Sequence, residues 1–389
     1  MLKIPFSKVE CNGNELKYVA EVLDSGWLTT ASKTFAFEKQ FAEMIGCKYA
    51  CAVNSCTAAL HLGLEALGVG AGGKVFVPSM TFTASAEVVR YLNADPIFLD
   101  IEYGSNLITP EILQKAIIAH PDVKYLIVVH YGGQSAQMAK DSSTGINDMC
   151  RTHGIKILED AAHAFPSRLG GRMVGSFGNV ACFSFYANKT ITTGEGGMLT
   201  TDDEGIWARV KTMRLHGINR DIWNRYTSNK PNWEYDVVAP GFKYNLPDVS
   251  AAIGLAQLER ATAMRDERQR CVELYQEQLG QIECIDLPLC HCTKEEHSWH
   301  LFHVVLKENS PITRNTLIDR LAEMGIGTSV HYKPLHRMQY YRERYGLTPV
   351  DFPHTERMWN GCVSLPIYPS LSNQEIRFVC ESLRSLLSA

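Results

Sequence analysis

The sequence predicts an α/β fold in two parts: a large domain with a mostly parallel sheet and a small α+β domain at the C-terminus. The chain has 389 residues, which is more than a single hydrophobic core usually organises. Between residues 50 and 205, short β-branched runs alternate with helical patterns, as in βαβ units. A long helical pattern begins near Asp248 and is followed by a different arrangement of elements. We therefore expect a large domain over residues 1–250 and a connecting helix with the small domain over residues 251–389.

Six apolar runs in the first region are predicted strands: Val75–Pro78, Ile97–Asp100, Tyr125–His130, Ile155–Asp160, Ala181–Phe185 and Met198–Thr201. Helical patterns lie between them at Thr57–Leu67, Thr83–Leu92 and Pro110–Ile118. The last of these has Thr109 as its N-cap and Pro110 at its first position, a combination typical of helix starts.

The C-terminal region begins with the connecting helix, predicted from Asp248 to about Leu279. Apolar residues recur at spacings of three and four in its first half, and charged residues dominate from Arg265. Four further elements are predicted beyond it: strand Trp299–Leu306, helix Arg314–Met324, strand Gly327–His331 and helix Asn373–Leu387. Together they predict the small α+β domain.

The composition excludes several classes of protein. The chain carries 42 acidic and 38 basic residues and a net charge of -4, a balance without the excess of basic residues typical of nucleic-acid binding. The N-terminus has no apolar stretch of signal-peptide length, and runs such as Tyr125–Val129 are too short to span a membrane. We expect a cytoplasmic protein with neither a membrane nor a nucleic-acid partner.

Cysteine usage favours the same location. The 12 cysteines are scattered and form no CxxC pairs, so we expect reduced thiols. One cluster, Cys284, Cys290 and Cys292 with His297 and His300, has a spacing that fits no zinc pattern. The sequence therefore predicts no metal site.

A carboxylate and a lysine are predicted to meet at one edge of the sheet. Asp160 ends an apolar strand, and Lys189 follows the next strand within FSFYANK. Open α/β sheets bind ligands at the carboxyl ends of their strands. Pyridoxal phosphate (PLP) enzymes need this pair, because the lysine amine bonds to the cofactor aldehyde and the carboxylate pairs with the pyridine nitrogen. His163, three residues after Asp160, is placed to contact the ring or its 3′-oxygen.

A candidate phosphate site precedes the first predicted helix. The segment Asn54–Ala59 brings small residues to a helix start, where free N–H groups and the Thr57 hydroxyl bind anions. Capping of the helix by Ser55 or Thr57 is the simpler interpretation and is compatible with this one. Ser184 is a further candidate phosphate ligand. Phe82 is a candidate to stack on the pyridine ring, although an aromatic residue at a strand end is more often part of the core.

Five segments carry a resemblance to a known family: NSCTAAL, PSMTF, EDAAHA, FSFYANKTITTGEGGM and YNLPDVSAAIGLAQLE. In order and spacing they resemble the DegT/DnrJ/StrS family of PLP-dependent nucleotide-sugar aminotransferases. The resemblance implies an aspartate-aminotransferase-like fold (PLP fold type I) and a homodimer with active sites at the subunit interface. It implies that Lys189 bonds to PLP, that Asp160 pairs with the pyridine nitrogen and that His163 contacts the ring. It further implies phosphate contacts from Cys56, Thr57 and Ser184, with Asn245 contributed by the other subunit.

Within that family the chain looks closest to ArnB-type enzymes, through GWLTT, HYGG, LHGI, APGFKYNLPD, HSWHLF and GIGTSVHYKPLH. ArnB-type enzymes aminate C4 of a UDP-linked 4-keto pentose, so this resemblance implies amination at C4 of a UDP-linked 4-keto sugar, and the family resemblance implies glutamate as the amino donor. Phe82 and Tyr186 stand where that subgroup has tryptophan and histidine, which leaves the identity of the sugar open. The candidate substrate-binding residues are His331, Tyr186, Trp27, Thr30, Lys243 and Arg220. For each of these, an ordinary structural or surface role is the competing interpretation.

Other functions remain open at this point. Amination at C3 or a TDP- or GDP-linked sugar is the nearest alternative. A PLP-dependent sugar dehydratase is disfavoured because that relative has a histidine in place of the lysine, and Lys189 is present. A regulatory protein that retains PLP without turnover is disfavoured by the intact set of Lys189, Asp160 and Ser184.

Overall fold

The large sheet is mixed and mostly parallel. The computed structural model describes residues 3–138, 145–219 and 235–388. In those residues the first nine strands are, in chain order, Tyr49–Val53 (β1), Lys74–Pro78 (β2), Asp95–Leu99 (β3), Tyr125–Val129 (β4), Lys156–Asp160 (β5), Arg168–Leu169 (β6), Arg172–Met173 (β7), Val180–Ser184 (β8) and Gly197–Thr201 (β9). Strands β6 and β7 form a small hairpin, and the other seven form the large sheet in the order β1-β9-β8-β5-β4-β2-β3. The strands from β8 to β3 pair in parallel, whereas β9 is antiparallel to both of its neighbours.

All six strands predicted from the sequence are present, with bounds within two residues of the prediction. Their apolar residues are mostly buried, as expected for a parallel sheet, except in the edge strand β3, where Ile97 and Phe98 are half-buried. The edge strand β1 was not predicted. The helices of this part are Glu15–Ser25 (α1), Ser32–Ile45 (α2), Cys56–Leu67 (α3), Ala84–Tyr91 (α4), Pro110–Ala119 (α5), Ile146–His153 (α6) and Glu204–Met213 (α7).

Helix α3 is the helix that matters most for the site. Most of its residues are buried, and it packs against β5, β8 and β9. Ser55 is its N-cap and accepts a hydrogen bond from the Ala58 N–H, so the capping interpretation is confirmed for Ser55. At its other end Gly68 adopts the left-handed conformation that closes many helices.

The predicted connecting helix is two helices, Asp248–Leu258 (α8) and Ala261–Leu279 (α9). The helical pattern continues through Glu259 and Arg260, so periodicity alone does not show the break. Tertiary contacts account for it, because Glu259 accepts hydrogen bonds from Asn14 and Tyr18 of the N-terminal region. These contacts hold the bend against α1.

The small α+β unit contains three strands, Ile285–Asp286 (β10), Phe302–Leu306 (β11) and Cys362–Leu365 (β12). They form an antiparallel sheet in the order β10-β11-β12. Its helices are Arg314–Glu323 (α10), Gln339–Tyr345 (α11), Pro353–Gly361 (α12) and Asn373–Leu387 (α13). The predicted α+β character is observed, whereas the exact division at residue 250 stays a prediction.

The predicted strand Gly327–His331 is wrong. This segment is a loop with one isolated pairing, Ser329 with Ser364, and Ile326 just before it pairs with Ile4. The N-terminal residues compete for its backbone, because the Gly327 N–H donates to the carbonyl of Ile4. The β-like pattern therefore yields two short contacts instead of a continuous ladder.

The small unit reaches the large sheet through the loop 297–301. The prediction of a strand from Trp299 was wrong for this part, since β11 begins at Phe302. Ser298 and Leu301 instead donate backbone hydrogen bonds to the carbonyls of Gly133 and Gly132, each at 3.0 Å. Gly133 has a φ of +114°, and a Cβ there would lie 2.5 Å from the Ser298 hydroxyl oxygen. The close approach brings the small unit to the carboxyl end of β4.

Candidate active site

A cavity of about 350 Å³ lies at the carboxyl ends of β5 and β8 and beside the start of α3. This is the edge at which open α/β sheets bind ligands. Most of the residues predicted for the cofactor meet there. Its lining includes Cys56, Thr57, Phe82, Asp160, His163, Ser184, Tyr186, Lys189, His331 and Tyr332.

Lys189 supplies an amine to this cavity. Its backbone N–H donates to the Tyr186 carbonyl in the turn after β8, and its half-buried side chain lines the cavity. Within the described part of the chain, its amine has no hydrogen-bond partner. Burial lowers the pKa of Lys189 to about 8, opposed by the nearby Cys56 and Asp160. The neutral fraction of the amine near physiological pH is therefore much larger than that of an ordinary lysine.

Asp160 supplies the carboxylate, and it is the last residue of β5. One of its oxygens accepts from the Ser85 hydroxyl at 2.8 Å and the other from the Ala162 N–H at 3.2 Å. Burial raises the pKa of Asp160, and these hydrogen bonds oppose the shift. A cation placed next to the carboxylate would favour the charged form. The protonated pyridine nitrogen of PLP is such a cation.

The start of α3 forms the anion-binding end of the cavity. Among the described residues, the backbone N–H groups of Cys56 and Thr57 have no hydrogen-bond acceptor, and both residues line the cavity. Ser184 ends β8 beside them. Free N–H groups at a helix N-terminus are a good site for a phosphate.

Gly197 allows this arrangement. A Cβ at this position would lie 2.5 Å from the Ser55 carbonyl carbon and 2.6 Å from the Cys56 nitrogen. The first residue of β9 therefore passes directly against the start of α3, where only glycine fits without displacement. The glycine-rich segment 193–197 after Lys189 is unspecific as a sequence pattern. In the structure, this close approach explains the glycine at position 197.

These residues fit PLP. The amine, the buried carboxylate and the anion-binding helix start occupy one cavity, and they match the aldehyde, the pyridine nitrogen and the phosphate of that cofactor. The individual roles of the residues stay predictions.

The rim of the cavity is aromatic. Phe82 is 56% exposed and Tyr186 is 48% exposed, and the Phe82 ring centroid lies 5.7 Å from that of Tyr332. His331 also lines the cavity, while its Nδ1 is 2.9 Å from the Ser364 hydroxyl oxygen. His331 thus combines access to a ligand with a structural contact.

Four other candidates lie elsewhere. Asn245, Thr30 and Lys243 line a second cavity of about 220 Å³, and the first cavity of the same chain does not include them. The Asn245 amide donates to the Thr30 hydroxyl at 2.8 Å and accepts from the Lys243 amine at 2.7 Å. Trp27 lines neither of these two cavities. Arg220 lies outside the described residues.

Sequence analysis missed Asn188 and Glu195 of the cavity and Ser85 next to it. Ser85 holds Asp160 from helix α4, a contact across 75 positions of the chain. Asn188 and Glu195 also line the cavity. In the sequence they could have been noticed because Asn188 directly precedes Lys189 and Glu195 lies in the glycine-rich segment TGEGG at 193–197. Tyr332 of the segment GIGTSVHYKPLH, a weaker substrate-binding candidate by sequence, does line the cavity. It is in direct contact with His163, whose Nε2 lies 2.8 Å from the tyrosine oxygen.

Neither a candidate metal site nor a candidate membrane span is found in the described residues. They contain no group of three or more His, Cys, Asp or Glu side chains arranged to hold a metal ion. None of their helices is both long enough and apolar enough to cross a membrane.

Comparison with known proteins identifies the family. A model of the DegT/DnrJ/EryC1/StrS aminotransferase family matches residues 10–384. The chain is 40% identical to the spore coat polysaccharide biosynthesis protein SpsC of Bacillus subtilis, over 99% of this chain and 97% of the relative.

Solved structures agree with the sequence comparison. Spr1654 of Streptococcus pneumoniae, assigned as a sugar aminotransferase and solved in a PLP form, is 30% identical and superposes with a TM-score of 0.87 over 100% of this chain and 99% of the other. PseC of Helicobacter pylori, an aminotransferase involved in the biosynthesis of pseudoaminic acid, is 25% identical with a TM-score of 0.89 over the full length of both chains. The cavity, its lysine and carboxylate, and these matches agree: the chain belongs to the DegT/DnrJ/EryC1/StrS family and is a PLP-dependent sugar aminotransferase of fold type I.

Proposed function

We propose that the protein transfers an amino group from L-glutamate to the C4 keto group of a UDP-linked 4-keto sugar. The observation that carries the proposal is the convergence of Lys189, Asp160 and the start of α3 on one cavity. The ArnB-like segments support the choice of nucleotide, position and donor. The similarity to SpsC, which is named for spore coat polysaccharide biosynthesis, supports a product used in a glycan.

Bound PLP supplies an electron sink that stabilises negative charge on the carbon that loses a proton. Lys189 binds the cofactor and, once released from it, moves a proton between the substrate carbon and the cofactor. Its pKa of about 8 suits this work, because a general base is most effective when its pKa lies near the working pH.

Asp160 and the start of α3 hold the two ends of the cofactor. Asp160 keeps the pyridine nitrogen protonated, and the Ser85 hydroxyl orients the carboxylate. The N–H groups of Cys56 and Thr57, with the Ser184 hydroxyl, bind the phosphate. Phe82 would stack on the pyridine ring, and His163 would contact the ring or its 3′-oxygen, since both line the cavity.

The sugar nucleotide enters across the aromatic rim. Tyr186 and His331 contact the sugar from this chain, since both line the cavity. Trp27, Thr30, Lys243 and Arg220 remain candidates for further substrate contacts, and Thr30 and Lys243 lie beside Asn245 in the second cavity. Asn245 serves the cofactor phosphate of the partner subunit in a homodimer, which is supported by its position outside the cavity of its own chain.

The cysteines support a reducing compartment such as the cytoplasm. All twelve are free thiols, and most of them are buried or half-buried.

A panel assay tests the proposal. The holoenzyme is incubated with glutamate and UDP-, TDP- or GDP-linked sugars carrying a keto group at C4 or C3, and amino-sugar formation is measured by mass spectrometry. We expect the highest kcat/KM for a UDP-linked 4-keto sugar and no product from Lys189→Ala. Turnover confined to 3-keto sugars, or loss of a sugar hydroxyl without gain of nitrogen, would contradict the proposal.

A further inference from the structure

His163 and Tyr332 form a hydrogen-bonded pair at the wall of the active-site cavity. The tyrosine oxygen lies 2.8 Å from Nε2 of His163, and both residues line the cavity. On the other side of the imidazole, the Gly132 N–H donates to Nδ1 at 3.3 Å. Each ring nitrogen thus has one partner in the described part of the chain.

These contacts determine where the proton of His163 lies. A backbone N–H can only donate, so Nδ1 must present its lone pair to Gly132. Burial, reinforced by the charge of Lys189, lowers the pKa of His163 well below its usual range, and the ring is neutral. A neutral imidazole has one N–H, which is therefore on Nε2 and is donated to the Tyr332 oxygen.

The direction of the Tyr332 hydroxyl follows from this. Its oxygen accepts from His163, so its own proton is available to another acceptor. Within the described residues, His163 is the only hydrogen-bond partner of the Tyr332 hydroxyl. Burial raises the pKa of Tyr332, which keeps the hydroxyl protonated. The remaining space next to it is the cavity.

We propose that Tyr332 donates a hydrogen bond to an oxygen atom of the molecule bound in the cavity, and that His163 is a positioning residue that sets the direction of this bond. The inference rests on the proposed function, because it takes the cavity to be the cofactor site. The acceptor has two possible sources, the ring oxygen of PLP and an oxygen of the sugar substrate.

The surrounding contacts are suited to a fixed donor. Ser298 donates its hydroxyl proton to the His163 carbonyl at 2.9 Å, which ties the histidine backbone to the loop 297–301 of the small unit. The Tyr332 ring is stacked on His163, with centroids 5.9 Å apart and planes inclined by 29°. Gly132, which sets the tautomer, is held by the same loop through Leu301. Both parts of the fold therefore contribute to the direction of one hydroxyl group.

The test compares Tyr332→Phe, His163→Leu and His163→Gln with the wild type. The Kd of PLP for the apo-protein and the absorbance maximum of the bound cofactor are measured first, without substrate. The half-reactions with glutamate and with a UDP-linked 4-keto sugar are then followed separately. Tyr275→Phe is the matched control, because its buried hydroxyl donates to the Pro366 carbonyl within the small-unit core.

Two results support the inference and identify the acceptor. If the acceptor is the PLP ring oxygen, Tyr332→Phe raises the Kd of PLP about five- to tenfold, the effect of one lost hydrogen bond, and shifts the absorbance maximum. If it is a sugar oxygen, the Kd, the spectrum and the glutamate half-reaction match the wild type, while KM or kcat changes with the sugar. In either case His163→Leu has the same type of effect, and His163→Gln restores the wild-type value because an amide can accept from Gly132 and donate to Tyr332.

Other results would overturn it. If Tyr332→Phe matches the wild type in PLP affinity, in absorbance spectrum and in both half-reactions, the proposed hydrogen bond from Tyr332 is refuted. If His163→Gln is as impaired as His163→Leu, the proposed positioning role of His163 is refuted. If Tyr332→Phe does not fold, the comparison of the two His163 variants still decides. A wild-type protein that does not bind PLP refutes the site itself, which distinguishes that failure from the failure of this inference.

Discussion

Lys189 and Asp160 illustrate how much of the site depends on the surroundings of single residues. Their types and their positions after neighbouring strands were visible in the sequence, because strand ends and a lysine in a short turn can be located from apolar patterns. Their electrostatic state was not visible, since it depends on burial by residues distant in the chain. Burial lowers the pKa of Lys189 to about 8 and raises the pKa of Asp160. The lowered pKa of the Lys189 amine therefore depends on the folded structure and cannot be read from the local sequence.

This state predicts a pH dependence for cofactor attachment. With a pKa of about 8, about a tenth of the Lys189 amine is neutral at pH 7, against about three in ten thousand for an ordinary lysine. The rate of covalent attachment of PLP to the apo-protein should rise with pH and reach a plateau above about pH 8. Stopped-flow absorbance measures the rate, and a soluble lysine derivative corrects for the ionisation of PLP itself. A rate that keeps rising tenfold per pH unit up to pH 10 would contradict the shifted pKa.

For the strands and helices, prediction from the sequence succeeded where a buried apolar run lies between clear turns. It failed where tertiary contacts determine which backbone groups pair. The six predicted strands of the large sheet are of the first kind. Strand β1 was missed because Tyr49–Val53 is rich in alanine and has little β-branched character. The segment Gly327–His331 failed for the opposite reason, since its pattern is β-like but the N-terminal residues take its backbone partners. The contact of Tyr332 with His163, across 169 positions, has no local signal at all.

The loop before β8 is held by one buried carboxylate, and this gives a prediction on stability. Glu159 is fully buried and accepts hydrogen bonds from the His130 side chain and from the backbone N–H groups of Gly175, Phe177 and Gly178. Glu159→Ala leaves these donors unpaired, so we expect the free energy of unfolding to fall by about 3 kcal/mol or more. Urea unfolding measures the change.

The matched control is Glu21→Ala, which removes an exposed ion pair with Lys33. Exposed pairs of this kind contribute little to stability, so this variant should unfold close to the wild type. Equal losses in the two variants would show that the Glu159 network does not stabilise the fold as described.

At the scale of the whole molecule, one chain does not bring all predicted cofactor residues to one cavity. Asn245, Thr30 and Lys243 lie together in a second cavity, and the lysine, the carboxylate and the start of α3 lie in the first. Both sets come from segments that resemble the family. The proposed homodimer, in which the second set of one subunit completes the first cavity of the other, would account for this separation.

Subunit mixing tests the shared site. Lys189→Ala and Asn245→Ala subunits are each expected to be impaired, but a mixed dimer contains one site in which both residues are intact. Random exchange makes half of the dimers mixed, and half of their sites intact, so roughly a quarter of the wild-type activity should return. Differently tagged subunits confirm the exchange. Activity no higher than the average of the two separate variants, after confirmed exchange, would place Asn245 in the site of its own subunit or outside any site.

The central claim is that Lys189 carries the cofactor, and reductive trapping tests it most directly. The protein is loaded with PLP and reduced with borohydride, which makes the covalent link permanent, and the modified peptide is then identified by mass spectrometry after proteolysis. We predict that the phosphopyridoxyl group is found on Lys189 and that Lys189→Ala gives no specific modification. Modification of another lysine at equal stoichiometry, with Lys189 unmodified, would contradict the account.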